Sequence, residues 1–193
     1  MVTDINISGA PKKQLSINPK KFILWLFMVS IVMVFASLTS GFIVRQSEGN
    51  WLAYNLPSQL IISTIILVLS SASIQWAFQA TKKKSLSQTR LGLAVTLILG
   101  TIFLISQVWV WSILVQNEVY FVGNPGGSFL YVLMGVHAFH LISGLIYLLI
   151  MLVRAFKVKD TSKIKFHMGL STTYWHFLDG LWIYLYVFLL IYH

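Results

Sequence analysis

The side chains of this sequence that could do chemistry lie in its last two apolar stretches. Asp179 is the only acid inside an apolar stretch, and His176 precedes it by one helical turn on the same face. An ionised carboxylate at the centre of a membrane helix costs about 2.5 to 3.5 kcal/mol on insertion scales, so it needs a partner. We therefore predict that His176 is the partner of Asp179.

A second histidine pair, His137 and His140, is spaced for one helical face in the preceding apolar stretch. A rise of about 1.5 Å per residue puts His140 near the depth of His176 and Asp179 when the two helices run in opposite directions. We predict a buried hydrogen-bonded cluster in which Asp179 and His176 hold these helices in register. The predicted contact residues are His137, His140, Tyr174, Trp175, His176, Asp179 and Trp182.

Two interpretations of this cluster are structural. In the first, the polar atoms satisfy one another between helices, and such bonds in membranes contribute about 0.6 kcal/mol on average. In the second, Trp175, Asp179 and Trp182 share one helical face and contact a partner helix or a lipid headgroup. The two interpretations are compatible, and neither assigns catalysis to the chain.

Two other interpretations are chemical. Heme could be held by histidines on facing helices, but His137 and His140 share one helix, and Phe139 and Phe177 would fill the space of the porphyrin. A proton or ion pathway would need a chain of buried acids and histidines, and the apolar stretches contain one acid. Inverted repeats and broken helices of the transporter type are not evident either.

The composition of the chain places these residues in a membrane. Of its 193 residues, 57% are hydrophobic and 10% are charged, which is far more apolar than a soluble domain. Crossing a hydrocarbon core of about 30 Å takes about 20 helical residues. We predict an all-α integral membrane bundle, with an N-terminal segment at 1–21 and a single domain at 22–193, whose five transmembrane helices span about 22–44, 58–80, 91–115, 127–154 and 168–192.

The distribution of cations predicts the orientation of the bundle. Of the 14 Lys and Arg residues, 13 fall on one side of the predicted spans, and Arg45 falls on the other. The positive-inside rule places residues 1–21 in the cytoplasm and the C-terminal His193 in the periplasm. The net charge of +9 then reflects topology and contact with anionic lipid. Nucleic-acid binding is not expected, because it would need one continuous basic face.

Several kinds of reactive site are excluded by what the sequence lacks. The chain has no cysteine, which excludes disulfides, thiolate metal sites and covalent heme attachment. A dinuclear metal site needs several inward carboxylates, and motifs for a serine nucleophile or a phosphate loop are missing. We therefore predict no catalytic residue, no metal ligand and no cofactor bound by this chain other than phospholipid.

Small residues in two spans predict close helix contacts. The second span contains the run Ser70 to Ser73, and the fourth contains Gly135, Ala138 and Gly144. In lipid, small side chains let helix backbones approach, because tail packing supplies no hydrophobic drive for association. Short loops further predict that successive helices pack antiparallel.

Two motifs resemble one known family. The run Tyr174 to Asp179, followed by Trp182, resembles the last-helix motif of subunit III of heme-copper oxidases. The segment Gly135 to Gly144, which contains His137 and His140, resembles the Gly-x-His-x-x-His-x-x-x-Gly segment of that family. The resemblance covers about residues 22 to 192. Five spans resemble the short form found in bacterial quinol oxidases and in some bacterial cytochrome c oxidases.

The chain also departs from the pattern of that family. Ser30 is followed by Ile31, where members with seven helices often have Glu, and Gln107 is followed by Val108 and Trp109, where an acid and a Tyr are common. The resemblance therefore does not extend to the roles of those carboxylates in lipid contact or proton uptake.

The resemblance implies a non-catalytic subunit of a proton-pumping terminal oxidase in the bacterial inner membrane. Such a subunit packs beside the catalytic subunit I, which holds the hemes and copper. It binds phospholipid, stabilises the catalytic bundle and assists oxygen access. The residues leave two alternatives open: a small membrane anchor that binds heme, through His140 and His176, or quinol, and an ion-coupled transporter.

Overall fold

The chain is described by a computed structural model that covers residues 18–47, 49, 57–158 and 160–192. The five α-helices within these residues are α1 (Pro19–Ser47), α2 (Gln59–Lys82), α3 (Leu86–Gln116), α4 (Pro125–Lys157) and α5 (Ser162–Tyr192). All five are long and apolar enough to cross a membrane, which confirms the predicted all-α fold with five spans. Most of the predicted N-terminal segment, together with Lys159 and His193, lies outside the described residues.

The helices extend beyond the predicted spans. α5 begins six residues before the predicted start at 168, and α3 begins five residues before the predicted start at 91. The prediction followed the apolar residues alone, whereas backbone hydrogen bonds also continue through polar residues at the membrane surface. At α2 the helix begins one residue after the predicted start at 58, because Ser58 is the residue that precedes the helix.

Polar side chains define where two of the helices begin. The Ser162 backbone N–H and hydroxyl donate to the Asp160 carboxylate at 3.0 and 2.6 Å, next to the start of α5. These hydrogen bonds, the side-chain one foremost, lower the pKa of Asp160 below its ordinary value. At α4 the Asn124 side chain accepts from the Gly126 backbone N–H at 2.9 Å, and Pro125 occupies the first turn.

α5 is the central element of the bundle. It contacts α1, α2 and α4, while the other contacts join α2 to α3, α3 to α4 and α1 to α4. Within the described ranges, α1 does not contact α2. The expectation that all successive helices pack together is therefore wrong for this pair, because α1 buries its apolar side chains against α4 and α5 instead. A groove is left between α1 and α2.

Glycines allow the closest helix contacts. A Cβ atom on Gly92 of α3 would lie 2.7 Å from the Ala77 Cβ of α2, and one on Gly144 would lie 3.0 Å from the Leu178 side chain. Gly144 therefore makes the close contact that the sequence predicted. Gly135 does not, since a Cβ added there would meet no atom within 4 Å.

Most of the described cations lie at one end of the bundle, which we call the basic end. Its members are Lys20, Lys21, Lys82, Lys83, Lys84, Arg90, Arg154, Lys157, Lys163 and Lys165. Here the Lys20 Nζ atom of α1 lies 3.3 Å from His167 Nε2 of α5. Arg90 of α3 donates to the Ala155 carbonyl of α4 at 3.0 Å. The basic end thus fixes two pairs of helices as well as carrying charge.

Candidate functional site

His176 directs both ring nitrogens toward α2. Its Nδ1 atom lies 2.5 Å from the Ser71 hydroxyl, and its Nε2 atom lies 3.2 Å from the Gln75 side-chain oxygen. The predicted pairing of His176 with Asp179 is therefore not what the structure shows. Three-residue spacing places two side chains on roughly one face, but α2 supplies better-placed partners for this imidazole.

Asp179 of α5 is buried inside the bundle. The residue is 4% exposed, and neither carboxyl oxygen has a hydrogen-bond partner among the described residues. The Ser71 hydroxyl is the polar group beside this carboxyl, but its hydrogen bond goes to His176. Asp179 and His176 therefore form no shared network that joins α4 to α5, and that prediction is corrected.

Two tryptophans of α5 donate to hydroxyls of α2. Trp175 Nε1 donates to Ser70 Oγ at 3.0 Å, and Trp182 Nε1 donates to Thr64 Oγ1 at 3.1 Å. Both indole rings are almost completely buried. The sequence interpretation identified the tryptophans but not their acceptors. The acceptors could have been sought among the Ser and Thr residues of the other predicted spans, of which α2 has several.

Among the described residues, the shortest hydrogen bond between side chains of α4 and α5 involves Tyr174. Its hydroxyl lies 2.7 Å from the Ser143 hydroxyl of α4, and its ring lies 5.8 Å from that of Phe27 in α1. Tyr174 therefore joins three helices near the place where the sequence predicted a polar cluster. The predicted cluster is split, with Tyr174 on the α4 side of α5 and His176 on the α2 side.

His137 of α4 lies in a ring of aromatic side chains. It is completely buried, and its centroid is 5.1 Å from that of Trp182 and 6.3 Å from that of Phe103 in α3. On the α1 side, the ring centroid of Phe35 lies 6.4 Å from that of His137. Neither imidazole nitrogen has a hydrogen-bond partner in the part of the chain that is described. Four helices thus meet at His137 through packing.

His140 and His176 face different helices. His140 Nδ1 donates to the Val136 carbonyl of its own helix at 2.8 Å, and its ring packs against Phe27 and Phe35 of α1. His176, in contrast, uses both nitrogens on α2. Axial heme ligation by this pair would need facing, free nitrogens. The residues present do not fit that alternative.

The groove between α1 and α2 opens at the basic end and has a volume of about 640 Å³. Its floor is formed by α5. Two cations, Lys21 and Lys165, lie at its edge, and Gln75 and His176 contribute to its wall. Most of the remaining lining is apolar, including Leu24, Trp25, Phe78, Phe166 and Leu170. This volume lies in the range of sites that bind small molecules or cofactors.

One buried polar residue escaped the sequence interpretation of the site. Gln107 of α3 is 3% exposed, and both polar atoms of its amide lack a partner among the residues that the structure covers. It lies one turn beyond Phe103, which contacts His137 and Trp182. A lone amide in an apolar span gives no spacing signal, so the sequence did not reveal its burial.

Comparison with known proteins gives one consistent family. The family described as cytochrome c oxidase subunit III matches residues 52–193, which include both motifs. Cytochrome c oxidase subunit 3 of Corynebacterium diphtheriae is 29% identical over 170 residues, covering 84% of this chain and 82% of the relative.

Two further relatives extend the comparison. Cytochrome bo(3) ubiquinol oxidase subunit 3 of Buchnera aphidicola subsp. Acyrthosiphon pisum is 28% identical over 192 residues, covering 96% of this chain and 93% of the relative. Cytochrome c oxidase subunit 3 of Spodoptera frugiperda is 33% identical over 130 residues, covering 66% of this chain and 84% of the relative. The similarity thus includes oxidases named for cytochrome c and for ubiquinol.

Proposed function

Because the chain belongs to the cytochrome c oxidase subunit III family, we propose that it serves a proton-pumping heme-copper oxidase as a subunit without redox centres. The observation that carries this proposal is the family match over residues 52–193. In this role the chain stabilises the catalytic subunit I, which holds the hemes and copper, binds phospholipid and assists oxygen access. The oxidase lies in a bacterial inner membrane.

An exposed apolar face of α3 supports the docking of other subunits. Ile98, Ile102, Ile105 and Trp109 follow helical spacing and are each at least 43% exposed. In a membrane such a face is covered by lipid tails or by the helices of a partner. Subunit I of the oxidase is the partner that we propose for it.

The groove at the basic end supports phospholipid binding. Lys21 and Lys165 lie where they could contact an anionic headgroup, and the aromatic side chains of Trp25, Phe78 and Phe166 could contact the acyl chains. A cation near an anionic headgroup contributes about 1 kcal/mol. We propose one anionic phospholipid as the occupant, held between α1 and α2 and resting on α5.

The proposed function is tested by purifying the oxidase through a tag on this chain in a mild detergent. We expect the heme-copper catalytic subunit to copurify, and we expect deletion of this chain to lower the thermal stability of the remaining oxidase. The chain purified by itself should show no reduced heme band. A heme band from the isolated chain, or purification without any oxidase subunit, would contradict the proposal.

A further inference from the structure

His167 of α5 accepts a hydrogen bond from a lysine of α1 at the basic end. The Lys20 Nζ atom lies 3.3 Å from the His167 Nε2 atom. An ammonium group has hydrogens but no lone pair, so Lys20 is the donor and His167 Nε2 is the acceptor. An imidazole nitrogen accepts only while it carries no hydrogen of its own. The bond therefore exists only while the His167 ring is neutral.

This hydrogen bond, which we call the clasp, holds a part of α1 that is otherwise weakly packed. Residues 19–26 are exposed except for Leu24, which is partly buried, and Met28 is the first buried residue of the helix. Among the described residues, the basic half of α1 makes no other hydrogen bond to a neighbouring helix. The position of this half therefore depends strongly on the clasp.

The other half of α1 is attached to α5 by bonds of a different kind. The Thr39 hydroxyl lies 3.1 Å from the Tyr184 hydroxyl, and the Gln46 side-chain nitrogen donates to the Tyr192 carbonyl at 3.1 Å. Hydroxyl and amide groups do not gain a proton as the pH falls below neutral. This half of α1 thus remains attached when the clasp opens, and it can serve as the hinge.

The charged groups around His167 are nearly all positive. The titratable and charged side chains at this end of the helices in contact with α5, and of α5 itself, are Lys20 and Lys21 of α1, Lys82 of α2, Tyr147 and Arg154 of α4, and Lys163 and Lys165 of α5. Lys20 and Arg154 act on the ring electrostatically, and no described acid does. A proton on His167 therefore has no described counter-charge and repels Lys20.

We propose that protonation of His167 releases the basic half of α1 from α5 and widens the groove between α1 and α2. One proton from water binds His167 Nε2, the hydrogen bond from Lys20 breaks, and Lys20 keeps its own hydrogens. In the described ranges α1 has no contact with α2 that would hold it in place. Lys21, the next residue, lines the groove. That this opening regulates phospholipid exchange rests on the proposed function of the groove.

The movement is measured by pulsed electron paramagnetic resonance between spin labels on introduced cysteines, in the full chain in lipid bilayers. Ile23→Cys on α1 and Gln79→Cys on α2 are exposed positions next to residues that line the groove. Val44→Cys and Ile191→Cys, also exposed, report on the hinge. Repulsion varies as the inverse of distance, so doubling the 3.3 Å separation halves it. We expect the groove distance to lengthen by about 3 Å and the hinge distance to stay constant.

Two variants distinguish the clasp from other effects of acid. The pH is lowered from about 7.5 through the ordinary histidine value of about 6.5, until the ¹⁵N chemical shifts of His167 show a charged ring. His167→Gln assigns those shifts and keeps an acceptor oxygen that takes no proton, so its groove distance should stay short. Lys20→Met removes the donor and should make the distance independent of pH. An unchanged wild-type distance with a charged ring, or equal lengthening in His167→Gln, would overturn the proposal.

Native mass spectrometry of the same chain separates the clasp from the proposed lipid site. With both correct, phosphatidylglycerol should leave the wild-type chain faster at acidic pH and leave the His167→Gln variant at an unchanged rate. A chain that opens at acidic pH but retains no phosphatidylglycerol would support the clasp and contradict the lipid site. A chain that retains the lipid, with a groove distance that does not respond to a charged His167, would overturn the clasp alone.

Discussion

At the scale of single residues, the side chains between α2 and α5 illustrate how polar atoms are used inside a membrane protein. The indoles of Trp175 and Trp182 donate to hydroxyls of α2, and Tyr174 reaches Ser143 of α4. Each bond satisfies a donor that lipid tails cannot satisfy. The tryptophans and His176, rather than Asp179, therefore provide the polar contacts between α5 and α2.

We predict a measurable coupling between Trp175 and Ser70. A double-mutant cycle with Trp175→Phe and Ser70→Ala should give a coupling free energy of about 0.6 kcal/mol, the average for hydrogen bonds between membrane helices. The measurement is reversible unfolding in mixed micelles. Trp111→Phe combined with Ser70→Ala is the matched control, because the buried Trp111 indole nitrogen finds no hydrogen-bond partner in the described part of the chain. Equal coupling free energies in the two cycles would contradict a specific hydrogen bond between Trp175 and Ser70.

At the scale of elements, α2 and α3 are the pair that packs most closely, and Gly92 makes this possible. A Cβ at position 92 would meet both the side chain and the backbone of Ala77, at 2.7 and 3.1 Å. Backbone cannot rotate away as a side chain can, so the helices would have to separate. The distance between α2 and α3 is therefore sensitive to one methyl group.

We predict that Gly92→Ala destabilises the bundle by about 1 to 3 kcal/mol, as is usual for overpacking. The free energy of unfolding should fall although alanine is the better helix former. Gly135→Ala is the control, because a Cβ there meets no atom within 4 Å. It should leave stability unchanged or raise it. If both variants behave alike, the close contact does not limit packing.

The separation of α1 from α2 leads to a prediction about the groove. Replacing Lys21 and Lys165 with Gln should weaken binding of an anionic phospholipid by about 2 kcal/mol, at about 1 kcal/mol per cation. Native mass spectrometry of the purified oxidase measures the phosphatidylglycerol retained. A Lys83→Gln and Lys163→Gln double variant removes the same charge at the basic end, outside the groove lining. Equal lipid loss in both double variants would assign the effect to net charge alone.

At the scale of the whole molecule, the basic end determines how we expect the bundle to lie in the membrane. Lys83 lies between α2 and α3 at this end, and Val122 lies between α3 and α4 at the other. Since the positive-inside rule counts Lys and Arg in short loops, the basic end should face the cytoplasm. The two loops should then be accessible from opposite sides.

This orientation is checked by introducing single cysteines and labelling them. The chain has no cysteine of its own that would react. In intact cells a membrane-impermeant maleimide should label Val122→Cys, because Val122 is 79% exposed and we place it in the periplasm. Lys83→Cys should react only after the cells are opened. The reverse pattern would show that the basic end faces outward.

Much of this protein could be predicted from its sequence, because the relevant features depend only on the order of residues along the chain. Span length follows from counting apolar residues, and the clustering of cations at one end follows from where Lys and Arg fall between spans. The family followed from two motifs that retain their order and spacing, around His137 and around His176. None of these inferences depended on which helices touch.

The partners of each side chain were decided by the tertiary structure. The rise per residue predicted the depths of His140, His176 and Asp179, but depth does not say which neighbour a helical face meets. The rotation of each helix depends on packing against all its neighbours at once. This is why His176 bonds to α2, His140 faces α1, and Asp179 is buried without a hydrogen-bond partner among the described residues.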